Sequence, residues 1–488
     1  MRPISRRTAL AMGGLGLAGT VVGGTGLWRE LSERGTDQGG GTELSEPEVL
    51  TSRAGQLEVR LEARLATHTV AGRQARTMGY NGGVPGPTLR VRPGDTLRVE
   101  LVNQLDHVTN LHVHGLHVSP EGTGDDVFLA VEPGQSHQYE YRLPDDHEPG
   151  VYWYHPHHHG TVADQLFAGL YGAIIVEEDD PPPVDRDRVI IVADTTLDDA
   201  GAVVLPSTME RMMGREGELV LVNGQDQPLL KGRSGDRERW RIVNACSSRF
   251  LSLRLAGQGS RVVGRDGGRL VRHAALDEVV LAPGNRLDLV VDLREGSTAL
   301  IALPVDRGAM MGGMMRGTPG PEDSERTLAS LEVSGGPSTS TEDFPGGTGR
   351  LDLREVEVDG HRSLTLQMGM GGMRGGGGGG PMDFTFDGQS FDPDRLDQRA
   401  RLGTVEEWTI ANDGPLDHPF HLHVWPMQLV DAAGERLDDP VWLDVVNVPA
   451  AGSVTVRIRF ADFGGKTVYH CHILDHEDLG MMGTILVE

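Results

Sequence analysis

One short run occurs three times in this chain, and it restricts the possible folds more than any other feature. Gly94-Asp95 leads to Val102-Asn103, Gly235-Asp236 leads to Val243-Asn244, and Gly403-Thr404 leads to Ala411-Asn412. The first copy, Thr96-Leu97-Arg98-Val99-Glu100-Leu101-Val102-Asn103, alternates apolar and polar side chains, the two-residue period of a half-buried strand. The copies start 141 and 168 residues apart, too far for a solenoid repeat and right for a duplicated β-sandwich. A second recurrence joins the first and third copies: Gly172-Ala173-Ile174-Ile175-Val176-Glu177 matches Gly483-Thr484-Ile485-Leu486-Val487-Glu488.

No stretch after residue 50 holds a sustained helical period, and Gly and Pro punctuate the apolar runs. The expected fold is therefore all-β. Three sandwich domains are expected at 50–180, 181–345 and 350–488, with a Gly/Ser/Thr/Pro-rich linker near 335–350.

The N-terminus reads as an address. Ser5-Arg6-Arg7-Thr8 precedes an uncharged, Gly-rich run from Ala9 to Leu27, the pattern of a Tat-type export signal over residues 1–31. Ala9 stands where that signal usually carries Phe, and no clean A-x-A cleavage site follows, so cleavage and retention as an anchor both stay open. Seven glycines make the run a poor membrane-spanning helix, and no stable membrane insertion is expected after cleavage. Residues 32–49 read as a polar linker. Export would place the protein in the periplasm, on the cell surface or outside the cell.

A net charge of −26 argues against a nucleic-acid partner, which needs a basic face. Two cysteines, Cys246 and Cys471, are too few for a disulfide scaffold. The nineteen histidines carry more information, because twelve of them cluster. The clusters are His112-Val113-His114-Gly115, then His155-Pro156-His157-His158-His159-Gly160, and a third in two parts. Those parts are His418-Pro419-Phe420-His421-Leu422-His423 and His470-Cys471-His472-Ile473-Leu474-Asp475-His476, with Met481 beyond.

An H-x-H pair on a strand points both imidazoles to one face. Four such pairs can close a cage of eight. Offset from them are Cys471, His418, His476 and Met481, the thiolate, two imidazoles and distant thioether of a blue-copper electron-transfer site. Asn103 to His112 and Asn412 to His421 are both nine residues. In that frame Thr109, Pro156 and Thr161 stand where His418, Cys471 and His476 do. The first copy thus keeps the H-x-H pairs and lacks the blue-copper set; the second carries only His273. A cluster shared between the first and third sandwiches follows, with a mononuclear site in the third alone.

H-x-H-G, H-P-H-x-H-G, H-P-x-H-x-H and H-C-H-x3-H-x4-M resemble the four copper signatures of three-domain multicopper oxidases, over about residues 50–488. The resemblance implies cupredoxin-like Greek-key domains and four copper ions. Position by position, His418, Cys471, His476 and axial Met481 would hold a type 1 copper. His112 and His421 would hold type 2, and His114, His155, His157, His423, His470 and His472 a type 3 pair. His158 and His159 are left over. The implied reaction takes single electrons from a donor at type 1 and reduces dioxygen to water at the trinuclear cluster. Glu477 matches an acidic proton relay of the family. A second acid is expected about ten residues after H-x-H-G, and the choice between Asp125 and Asp126 stays open.

Methionine points to the donor. Met310, Met311, Met314 and Met315 form one Gly-spaced group; Met368, Met370, Met373 and Met382 form another. Glycine cannot pack a core, so these methionines read as something other than core filler. Thioethers prefer Cu(I). The segments resemble the Met-rich insertion of bacterial cuprous oxidases, which detoxify copper; Gln389–Asp392 and Arg241–Cys246 also look like that subgroup. Gly414 and Leu416 depart from it, standing where it carries Asp and Met, with Asp413 and Asp417 nearby as substitutes. A soft axial Met481 also disfavours the strongest phenol-oxidising laccases. Laccase-like oxidation of small phenols is the alternative, and a copper-free scaffold or a copper-storage protein are the non-enzymatic ones. Every motif is satisfied within one chain, so a monomer is expected. Cys246 reads as an inert buried thiol.

Overall fold

The computed structural model describes residues 41–179, 181–308, 324–335, 344, 346–347, 350–370, 382–432 and 435–488. Leu44–Glu488 forms one compact unit. Its described residues form six sheets, which pack in three face-to-face pairs. The all-β expectation holds.

Each pair closes on one apolar core. In the first, Leu61, Val99 and Leu101 from a four-stranded sheet meet Leu89, Val113 and Ile174 from a five-stranded one. In the second, Ile190, Trp240 and Leu289 meet Leu251, Leu253 and Leu300. In the third, Leu364, Trp408 and Ile410 meet Phe420, Tyr469 and Ile485. Burying such side chains stabilises each sandwich by about 1.5–3 kcal/mol apiece.

The recurrent run is the same strand three times: Thr96–Asn103, Arg237–Asn244 and Val405–Asn412. Each lies parallel to an earlier strand (Gln56–Val70, Arg186–Thr195 and Gly360–Met370) and antiparallel to a later one. The terminal asparagines explain the repeat. Asn103 donates to the carbonyls of His107 and Val131 and accepts from Leu105 N. Asn244 donates to Arg249 and Leu281 and accepts from Cys246 N. Asn412 donates to Leu416 and Val448 and accepts from Gly414 N. One buried side chain thus ties off a strand end, the following loop and a distant strand.

Among the described residues, three α-helices of five or six residues, Val162–Phe167, Thr208–Met213 and Leu474–Asp478, interrupt the strands. They are too short to leave a helical period in the sequence. Among the described residues no helix is long and apolar enough to cross a membrane. The Tat-type reading falls on residues 1–31, outside the described residues.

Candidate metal centres

Strand His112–His114 pairs with Gly150–His155, which sets His112 opposite His155. The third sandwich repeats the arrangement, with His421 opposite His470. The two-residue period turns His114 to the face of His112. His157, His423 and His472 lie one or two residues past their strand ends. All eight histidines are buried. The two sandwiches interleave their rings: His112 stacks on His423 and His114 on His421, each at 4.0 Å. His470 Nε2 lies 3.1 Å from both His157 Nε2 and His423 Nε2. Three all-histidine triplets hold their ligand atoms within 4.8 Å, His112–His114–His155, His112–His421–His423 and His157–His423–His470, and His114, His421 and Asp444 form a fourth group.

Hydrogen bonds at the other nitrogen orient these rings, as at metal sites generally. Nδ1 of His112 bonds the Asp125 carboxylate at 2.8 Å. Nδ1 of His155, His421 and His470 bond the backbone oxygens of Pro156, Asp444 and Cys471. His114 is the reverse: its Nε2 bonds Asp444 Oδ1 at 2.9 Å. Burial, reinforced for most by neighbouring rings, holds the eight imidazoles below the ordinary histidine range, to about 4 for His157 and His470. They are neutral, the form that ligates. His112 Nε2, His114 Nδ1, His155 Nε2, His421 Nε2, His423 Nδ1 and both nitrogens of His472 are buried without a hydrogen-bond partner. Each such atom costs about 1–3 kcal/mol. Seven in one cage, all soft enough for copper, fit a cluster of that metal.

The second centre is in the third sandwich alone. His418, Cys471 and His476 are fully buried and form a triplet within 4.8 Å. Cys471 Sγ lies 3.4 Å from His418 Nδ1 and 3.9 Å from His476 Nδ1. Ile473 N points at the sulfur from 3.4 Å, and Phe384 stacks on His476. Met481 is fully buried, and its backbone bonds both Cys471 and His476. Burial pushes the Cys471 thiol well up and His418 down to about 3. The outer nitrogens of both histidines meet methionines: His418 Nε2 is 3.2 Å from Met368 Sδ, and His476 Nε2 donates to the Met212 carbonyl at 3.1 Å.

Four carboxylates were candidates or emerge here. Asp125 is buried, holds His112 and accepts from Val113 N. Asp126 turns away and accepts from Phe128 N. Glu477 is fully buried, its oxygens 3.0 Å from His470 Nδ1 and 3.6 Å from His157 Nε2. Burial raises Asp125 to about 8 and Glu477 to about 7. Asp444, which sequence reasoning missed, bonds His114 by its carboxylate and His421 by its backbone oxygen. No motif marks it, because its partner His114 is 330 residues away.

The methionines correct one expectation. Met368 lies in strand Gly360–Met370 and Met382 in strand Met382–Phe386, and both pack partly buried against the third core. The two strands pair and turn these side chains toward the core, against which they pack while staying partly exposed. Met370 ends the first of these strands, while Met310, Met311, Met314, Met315 and Met373 lie outside the described residues. Asp413 is exposed and accepts from Gln367, and Asp417 is engaged by Asn447 and Ala450. His158 and His159 are partly buried and belong to none of the triplets, and Cys246 is a buried free thiol.

Sequence models described as multicopper oxidase match residues 62–181, 186–300 and 366–488. "Multicopper oxidase mco" of Staphylococcus haemolyticus is 28% identical over 85% of this chain and 84% of its own. "Cell division protein FtsP" of Edwardsiella tarda is 28% identical over 99% of both. A solved structure described as "Multicopper oxidase from Campylobacter jejuni: a metallo-oxidase" superposes with a TM-score of 0.80, at 29% identity, over 92% of this chain and 96% of that one.

Proposed function

The chain belongs to the multicopper oxidase family, and from that membership we propose that it oxidises Cu(I) and reduces dioxygen to water, in copper detoxification outside the cytoplasm. His418, Cys471, His476 and Met481 would hold a type 1 copper, and His112 and His421 type 2. His114, His155, His157, His423, His470 and His472 would hold the type 3 pair, four ions in all. When bound, copper supplies the one-electron chemistry.

The chain's own residues do the rest. Cys471 sits between His470 and His472 in sequence, a path of a few bonds from one centre to the other. Reduction of dioxygen to two waters consumes four protons. Glu477 and Asp125 are placed to pass them on, since burial raises Glu477 to about 7 and Asp125 to about 8, near the working pH.

The single observation that carries the donor is the Met368 thioether against the outer nitrogen of His418. A soft sulfur there suits Cu(I). Beside it opens a cavity of about 800 Å3 lined by Asp383, Asp392 and Asp413, which attracts a cation. The Campylobacter neighbour's description as a metallo-oxidase supports the same reading. Met310, Met311, Met314, Met315, Met370, Met373 and Met382 would gather further Cu(I). The size of that cavity also favours a second reading, laccase-like oxidation of small phenols.

We take 50–180, 181–345 and 350–488 as the domains, 1–31 as the export signal, and the monomer as the working form. Copper loading tests enzyme against copper-free scaffold. Four coppers per chain and a blue thiolate–copper band support the proposal; a colourless protein after loading overturns it.

A further inference from the structure

The second sandwich supplies none of the proposed copper ligands, yet one of its turns forms a wall of the histidine cage. Gly284, at φ +89°, sits so close to His472 that a Cβ would lie 2.9 Å from its ring. Two residues on, Arg286 is fully buried and all five of its side-chain N–H groups are used. Nε donates to Val151 O at 2.9 Å. Nη1 donates to Gly284 O and to Asp444 Oδ1 at 2.5 Å, and Nη2 to Asp266 O and Asp444 Oδ2. These partners come from all three sandwiches.

The two-point grip on Asp444 leaves that carboxylate one orientation. In it, Oδ1 accepts from His114 Nε2. The proton is thereby fixed on Nε2, and Nδ1, buried and without a partner, is the nitrogen available to a metal. The Asp444 carbonyl meanwhile sets the opposite choice in His421, whose Nδ1 is bonded and whose Nε2 is available. Space enforces the pairing as well: a Cβ on Gly115, at φ +84°, would fall 2.5 Å from both Arg286 Nη2 and Asp444 Oδ2.

We propose that Arg286 is a positioning residue of the cluster: by clamping Asp444 it decides which nitrogen of His114 faces the cage. This rests on the copper reading above. A lysine at 286 would keep the charge and lose the fork, and an asparagine at 444 could turn its NH2 toward His114 and invert the tautomer.

The test compares wild type with Arg286→Met, Arg286→Lys and Asp444→Asn, all copper-loaded. The blue absorption of the third-sandwich site, which these residues do not touch, reports intact folding. The expected result is an unchanged blue band, an altered type 2 spin-resonance signature, and cluster copper lost to a chelator about 10–100-fold more readily. Arg286→Lys should fall between wild type and Arg286→Met. In copper-free protein, nitrogen-15 NMR should show His114 protonated at Nε2 in wild type and mixed in Arg286→Met and Asp444→Asn. Unchanged retention, spin resonance and tautomer in Asp444→Asn or in Arg286→Lys overturn the proposal, and Arg286→Lys decides the matter if Arg286→Met fails to fold. A wild type that binds no copper overturns the earlier reading instead, and the tautomer measurement still judges Arg286.

Discussion

His470 and Cys471 are consecutive residues of one strand, and they face opposite ways into two different centres. The imidazole stands 3.1 Å from His157 and His423 in the cage, while the thiol stands 3.4 Å from His418 in the third core. The alternation of a single strand thus joins the two sites.

Cys471→Ser removes the one sulfur shared by His418 and His476. The blue band and the oxidase activity should vanish together, while the cage, which does not use this side chain, keeps its copper. Absorption and metal analysis check this; survival of either the band or the activity contradicts the site.

Glu477→Gln and Asp125→Asn keep shape and remove a proton donor. Each should lower turnover by about 10²–10⁴-fold with copper content and colour retained. Their raised values set the sign. Both groups are protonated below about 7 and 8 and lose the proton above, so wild-type activity should fall on the alkaline side of that range. A pH–rate profile whose alkaline limb is unmoved in Glu477→Gln would remove that residue from proton delivery.

Met368→Leu conserves volume, so the third core should lose less than about 1.5 kcal/mol. Cu(I) oxidation should fall well below its wild-type rate, with phenol oxidation changed little. This variant is cleaner than deletion of 368–382, because Met368 and Met382 also pack the core. Equal losses with both donors would remove the donor role of the thioether.

The metal-free protein should lose thermal stability between pH 7 and 5. Unfolded histidines take up protons below about 6.5, whereas the buried rings, with lowered values, do not. Stability held above that pH is therefore lost on acidification. Carboxyls raised by burial, among them Asp125, Asp444, Glu477 and Asp478, act oppositely by binding protons in the native state, but the lowered histidines, with His147, His418 and His476 added to the cage, outnumber them. A melting temperature that rises toward pH 5 would contradict a neutral cage.

The H-x-H pairs were legible because a strand's period fixes which side chains share a face, and the asparagine repeat because the same corner is built three times. Asp444, Arg286 and Met212 were not. Each acts through partners 158 to 330 residues away, and no local spacing encodes such contacts. Met368 was read as something other than core filler, since its glycine neighbours hid a strand whose inward face is set by pairing with Met382–Phe386. The choice between Asp125 and Asp126 needed the turn that sends one carboxylate to His112 and the other to Phe128 N.

Oxygen uptake by the copper-loaded protein, with Cu(I) and a simple phenol as parallel donors, tests the central claim most directly. The account predicts uptake with both and faster uptake with Cu(I). Faster uptake with the phenol would make the protein laccase-like, and no uptake with either donor, from a chain holding four coppers, would contradict the oxidase itself.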